Sequence, residues 1–314
     1  MNAITQPEAQ ALDRSQFLGG SDVAAVMGLS PWATPVELWM QKTGRAPREE
    51  PTEAKQRIYD RGHKLEPFIR DMVIDKLREA GHQVELIACN ERYADAEHPF
   101  LACEIDFELM LDGEHINCDA KSVSGFARKK WGEVDTEDVP IEYAAQFMHG
   151  LGVTGRGKCL VAALRSFDDV DIYWTLRDEE TITAMRAKCV QFWNEHVLTD
   201  VPPDPMEFSD IKALFPLDNG QAIDATDEIA QKVADLKRVK AAIKDLEEQE
   251  ELLTFDVGEF ISPNAILKHQ GKEIATWKAQ ASSRIDTTAL KEKKPEIAAE
   301  FTKTTTTRVL RLKK

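Results

Sequence analysis

The chain has 314 residues, 42% of them hydrophobic and 30% charged, which is the make-up of a soluble globular protein. No apolar run approaches the length that spans a bilayer, and the opening MNAITQPEAQALDRSQ lacks a basic stretch followed by an apolar core, so neither a membrane protein nor a secretory signal is expected. A net charge of −15 speaks at first against nucleic acid as a partner, but residues 268–314 hold 12 Lys/Arg against 5 Asp/Glu, a basic tail on a body that carries −22.

Segment 15–45 opens with a Gly19-Gly20 turn, after which Ser21 or Asp22 is expected to cap a short helix, DVAAVMG, ending at Gly28. Pro31 and Pro35 mark a loop and a second helix start, and VELWMQKTG closes on Gly44. Residues 53–80 have helical apolar spacing, with Gly62 and Pro67 predicting a break or two helices. Residues 83–94 read as a strand. LACEIDFELMLDGEHINCDAK, residues 101–121, reads as a β-hairpin around Asp112-Gly113, a dipeptide that accepts the positive φ of a tight turn. A helix follows at 141–153, then two strands, KCLVAALRS and DVDIYWTL, and a helix at 178–198. The expected core is α/β, a mixed sheet of about five strands flanked by helices.

VPPDP at 201–205 predicts a boundary, giving a core of residues 1–202 and an extension of residues 203–314. The extension begins with a long amphipathic helix at 224–256, whose apolar spacing is too irregular to demand a coiled-coil partner. A small hairpin around Gln270-Gly271, two short helices in DTTALKEKKPEIAAEF and a final strand, TTTTRVLRLKK, complete it. Its residues assign it no function. Cys89, Cys103, Cys118, Cys159 and Cys189 are odd in number and never form a C-x-x-C pair, which argues against a disulfide framework, a zinc finger or an iron–sulfur cluster and fits a reducing cytoplasm.

The chemistry concentrates on the hairpin. Strand residues two apart share a face, so Asp119 and Lys121 point the same way beside small Ala120, and Asp106 on the preceding strand can join them. Two carboxylates and an ammonium meeting at one spot is a costly arrangement without a cation. A hard divalent ion would find carboxylates and the Ala120 backbone carbonyl there, which suits metal-dependent phosphodiester chemistry. Glu66 sits just before an apolar helical run and Gln146 inside the apolar AAQFMHGL, where its amide needs a partner or a cleft. Arg14 and Ser21 flank the two glycines and, with the N–H groups of a helix start, could grip a phosphate.

Taken in order, Arg14 with FLGGSDVAAVMGLSPW, then RGHKLEP, the EID of the hairpin, DAK, and IEYAAQFMHGLGVTG resemble the YqaJ-type viral recombinases, relatives of the lambda exonuclease among the PD-(D/E)xK nucleases, over roughly residues 14–200. The resemblance implies a PD-(D/E)xK nuclease core and a metal-dependent exonuclease that degrades one strand of duplex DNA from its 5′ end. It implies a ring-shaped homotrimer that works on double-stranded DNA ends with a phage single-strand annealing protein, encoded by a phage or prophage in a bacterial cytoplasm. By position, Asp106 and Asp119 would hold Mg²⁺, or Mn²⁺ in its place, with the Ala120 carbonyl. Glu66 would serve a second metal or its water, Lys121 would position water or steady the transition state, and Gln146 would orient the site. Arg14 and Ser21 would bind the 5′-phosphate. The chain departs from the pattern in having Ile105 where the family name has proline, Phe107 where glycine is often found, and Asp119 where glutamate is commoner. An endonuclease of the same superfamily and a non-catalytic DNA-end scaffold are the alternatives.

Overall fold

The computed structural model of the protein describes residues 13–46, 52–123, 127–165 and 169–313, with the side chains of residues 127 and 128 outside the description. Two compact units are present, Met1–Leu214 and Phe215–Lys314. The first holds helices α1 (Gly20–Val26), α2 (Pro35–Lys42), α3 (Glu53–Glu79), α4 (Ile141–Thr154), α5 (Glu179–Phe192) and α6 (Phe208–Leu214). Its sheet is made of β1 (Val84–Ala94), β2 (Ala102–Leu111), β3 (Glu114–Ser122), β4 (Lys158–Leu164) and β5 (Val170–Leu176), in that spatial order. Only β3 and β4 run parallel, joined through α4. The expected mixed sheet flanked by helices is therefore the fold.

The β2–β3 hairpin turns where the sequence places it. Asp112 and Gly113 both have positive φ, 51° and 85°, as a two-residue primed turn requires. Leu111 then opposes Glu114, and the register runs on to Phe107 opposite Cys118. Side-chain alternation divides the sheet into two unlike faces. Phe107, Leu109, Ile116, Cys118, Leu160 and Ala162 pack with Ile69 and Val73 of α3 in an apolar core. On the other face Cys159, Val161 and Ala163 pack with Phe147 and Leu151 of α4. Asp106, Glu108, Asn117, Asp119 and Lys121 share that second face, so the polar row of the hairpin lies toward α4.

Helix α3 is unbroken for its 27 residues, against the predicted break at Gly62 or Pro67. Proline's fixed φ is already helical, and only the bond its missing N–H would have made to the His63 carbonyl is lost. Downstream, Ile69, Val73, Ile74 and Leu77 anchor the helix on the sheet. The first helix also differs. Its N-cap is Gly19, not Ser21 or Asp22; the Asp22 carboxylate instead reaches back to the Gly19 N–H at 2.9 Å.

The first unit extends past the VPPDP stretch to Leu214, beyond the boundary predicted at 202. The segment is held by Asp210, which is 0% exposed and accepts from the Thr34 hydroxyl at 2.6 Å and from the N–H groups of Met206 and Glu207 at 2.8 and 3.1 Å. The Trp39 indole also donates to the His196 carbonyl at 3.0 Å.

The second unit contains α7 (Asp227–Ile261), a hairpin of β6 (Ile266–His269) and β7 (Lys272–Thr276), and short helices α8 (Thr287–Lys293) and α9 (Pro295–Glu300). Gln270 and Gly271 form the predicted turn with positive φ. The predicted terminal strand is absent: residues 303–313 have no regular structure. An alternating sequence becomes a strand only where a partner edge accepts its ladder.

Asp210→Ala should cost about 3 kcal/mol or more, since three donors lose their buried acceptor together. Urea denaturation of the first unit's tryptophan fluorescence measures it; a cost below about 1 kcal/mol would mean that Asp210 does not tie residues 203–214 to the core.

Candidate active site

The hairpin opens where its acids lie. β2 and β3 are paired as far as Phe107 and Cys118, while β3 stays in register with β4 up to Ser122. Past that point the Asp106 carboxylate accepts the Ala120 N–H at 2.8 Å. Asp106 and Asp119, which the register places opposite one another, thus face each other at a fork between two strands. Lys121 joins them: its Nζ lies 2.7 Å from Asp119 Oδ1, and it sits over the Tyr143 and Phe147 rings at 5.3 and 5.6 Å. Gln146 of α4 donates from Nε2 to Asp119 Oδ2 at 3.0 Å, so its amide has the partner its apolar helix requires.

The electrostatics follow from burial and like charge. Burial, then the neighbouring Asp119 charge, pushes the Asp106 carboxyl from 3.8 to about 8, and Lys121 and the Ala120 N–H only partly offset this. Burial works to lower the Lys121 ammonium, but the charges of Asp119 and Asp106 outweigh it and raise it. Asp119 Oδ1 is buried and receives no aligned hydrogen bond, although the Lys121 charge is close. Two acids short of positive charge, one with an oxygen free of any aligned donor, fit a hard cation by donor chemistry. Among the described residues no group of three or more His, Cys, Asp or Glu side chains gathers at ligating distance, so the protein's own share of such a site is the carboxylate pair.

A cleft of about 90 Å³ brings Arg14, Ser21, Asp119 and Gln146 together. Arg14 donates to the Ser21 hydroxyl at 2.6 Å and lies 3.4 Å from Asp22 Oδ1. The two glycines allow this by their lack of a side chain more than by turning the chain. A Cβ on Gly19 would stand 2.5 Å from Arg14 Nη1, and one on Gly20 would stand 2.7 Å from Gln146 Cγ. Glu66 lies apart from the cleft lining: its carboxylate is 3.2 Å from His63 Nδ1, and its charge reaches Asp106 as a weaker upward influence.

Other contributors escape the sequence reading. Lys42, 8% exposed, donates to the Arg14 and Phe17 carbonyls at 2.6 and 2.5 Å and to Asp22 Oδ2 at 2.8 Å, fixing the strap that carries Arg14. Its signal was a lysine in phase with Pro35, Leu38 and Trp39 on the inward side of α2. Tyr143 and Phe147 cover Lys121. Beside the acids, Glu108 is 1% exposed and accepts from the Tyr93 hydroxyl at 2.6 Å and Arg156 Nη2 at 2.8 Å, with His115 Nε2 at 2.9 Å. Arg156 also donates to Asn117 Oδ1 at 2.7 Å, so the whole polar row of the hairpin is partnered. Cys103, Cys118 and Cys159 line the cleft as free thiols, and burial pushes all three upward, Cys103 to about 12.

Residues 11–157 match the model of the YqaJ-like viral recombinase domain. The chain is 28% identical over 302 residues to the uncharacterized protein YqaJ of Bacillus subtilis (strain 168), covering 94% of this chain and 90% of that one. Among solved structures, the alkaline exonuclease LHK-Exo of Laribacter hongkongensis aligns at 19% identity with a TM-score of 0.44, over 60% of this chain and 91% of that chain. The same exonuclease in complex with dAMP aligns at 20% identity and a TM-score of 0.43, with the same coverage.

Two outcomes are expected of the site. Gly20→Ala should destabilise the first unit by about 1–3 kcal/mol, because α1 and α4 cannot both keep their positions around the new methyl; a neutral effect in urea denaturation would show that Gln146 moves aside freely. Asp106 keeps its proton in the folded chain over a range where the unfolded chain has lost it. Its favourable contribution is complete below 3.8 and is lost as pH rises through about 8. In chelator, wild-type stability should therefore fall relative to Asp106→Asn between about pH 4 and about pH 8. A constant difference between the two proteins would contradict the raised carboxyl.

Proposed function

We propose, from the match of residues 11–157 to the YqaJ-like viral recombinase domain, that the protein is a Mg²⁺-dependent exonuclease that degrades one strand of linear duplex DNA in the 5′→3′ direction, leaving 3′ single-stranded tails for recombination by annealing. The observation that carries the proposal is the convergence of Asp106, Asp119 and Lys121 at the β2–β3 fork. Asp106 and Asp119, with the Ala120 carbonyl, would hold the ion, and Glu66 would serve a second one or its water; Mn²⁺ could substitute. A bound divalent cation supplies positive charge to a phosphodiester and makes water more acidic. Lys121, kept charged by its two acids, offsets negative charge building on the phosphate oxygens and helps to place the attacking water. Gln146 fixes the angle of the Asp119 carboxylate through one hydrogen bond. Arg14 and Ser21 stand on the same cleft and offer guanidinium and hydroxyl hydrogens to a terminal 5′-phosphate, with Asp22 and Lys42 holding Arg14 in place.

In this reading the working form is a ring of three copies acting on DNA ends with a phage annealing protein, inside a bacterial cytoplasm. Among the described residues no helix is long and apolar enough to cross a membrane.

End-labelled linear duplex bearing a 5′-phosphate tests the proposal. With Mg²⁺, mononucleotides should be released from the 5′ end and chelator should stop the release. Lys121→Ala should lower turnover by roughly 100-fold or more while DNA binding remains measurable. Arg14→Ala should narrow the preference for 5′-phosphate over 5′-hydroxyl ends. Cutting of covalently closed circles would turn the reading to an endonuclease, and an intact, DNA-binding protein that digests nothing would leave only an end-binding scaffold.

A further inference from the structure

Helix α7 runs for 35 residues with its apolar side chains left to solvent: Val239, Ile243, Leu246 and Leu253 are 54%, 49%, 62% and 66% exposed. A stripe of that length on a soluble helix marks a surface that another element covers. Its irregularity disappears when the seam is written from Ile229 in alternating steps of three and four. Positions 229, 232, 236, 239, 243, 246, 250, 253, 257 and 260 then form the seam, and eight of the ten are Ile, Leu, Val or Phe. This is the a/d repeat of a two-stranded coiled coil. The two exceptions are Lys232 and Glu250.

Those exceptions choose the partner and its direction. In a parallel pair each seam residue meets its own copy, which would bury Lys232 against Lys232 and Glu250 against Glu250. In an antiparallel pair a positions meet d positions. Centring such a pair on Ala241 sets Lys232 against Glu250 of the second copy, twice by symmetry. The same register sets Ile229 against Leu253, Leu236 against Leu246, and Val239 against Ile243, so each of these layers is a against d and apolar against apolar, while Val257 and Phe260 lie beyond the paired stretch. Charge along the helix agrees. Residues 227–244 carry five Lys/Arg and three Asp/Glu, whereas residues 245–261 carry seven Asp/Glu and no Lys/Arg. Antiparallel packing lays the basic half on the acidic half; parallel packing would align the acidic halves.

We propose that α7 pairs antiparallel with α7 of a second copy of this chain, with the Lys232–Glu250 layers setting direction and register. A charged layer stabilises less than an apolar one and is retained where it excludes other registers. The proposal rests on the helix alone and is independent of the nuclease reading. Since the contact is two-fold, it would join two copies, or two rings if the first unit forms a ring.

Light scattering of the full-length protein tests it. Lys232→Glu and Glu250→Lys, each alone, should lower the mass to half that of wild type. The double variant K232E/E250K should recover the wild-type mass, as should an equal mixture of the two single variants. Within one helix these positions lie about 27 Å apart, so recovery in the double variant cannot come from contact inside a chain or from a helix that has unfolded. A wild-type mass no greater than that of the single variants would overturn the proposal. So would a double variant that stays at half mass, which would show that positions 232 and 250 do not meet, or single variants that keep the full mass, which is the result of parallel pairing or of a different partner for the stripe.

Discussion

One backbone N–H organises the first unit. Ala120 can donate to a neighbouring strand or to a side chain, and it donates to the Asp106 carboxylate. The two strands of the hairpin can part there because β3 is held on its other edge by β4, so the fork leaves the sheet intact. Into the fork come two acids on one face, and the penalty of burying them together appears as an Asp106 carboxyl that holds its proton far above the ordinary range. Lys121 and Gln146 each restrain Asp119 from a different side. The glycines and Lys42 then bring the Arg14 strap close enough to share the cleft.

Much of this was legible because it depends on local rules. The Asp112-Gly113 dipeptide fixes a two-residue turn, the turn fixes register, and register with the two-residue alternation of strands places Asp106, Asp119 and Lys121 on one face. No long-range information is needed for that deduction. Features that depend on what lies across space were not legible. The Gly19-Gly20 pair reads as a turn, yet its role is to admit Arg14 and Gln146, neither of which is a near neighbour of both in sequence. Pro67 reads as a break because the core that holds α3 straight comes from the sheet. The tail alternates like a strand and finds no edge. Glu66, with only a helical turn as context, offered no means of telling whether it faces Asp106 or His63.

The second unit shows the same division from the other side. Its hairpin and short helices were set by a Gln-Gly turn and by Pro295 at a helix start, both local signals. What α7 does depends on phase. Counting Val233 into the stripe makes the spacing irregular; admitting Lys232 in its place restores the repeat and reveals that the polar positions are complementary under reversal. A sequence scan that accepts only apolar residues discards the positions that carry the specificity.

The thiols that line the cleft have a consequence of their own. Cys103, Cys118 and Cys159 line the same cleft as Asp119, where an ionised thiol would be open to oxidation. Burial keeps these sulfurs protonated through the neutral range. A buried thiol that keeps its proton is a poor nucleophile, so these three are shielded from oxidants and from disulfide exchange. That protection is written into the hydrophobic wall and not into the sulfurs themselves.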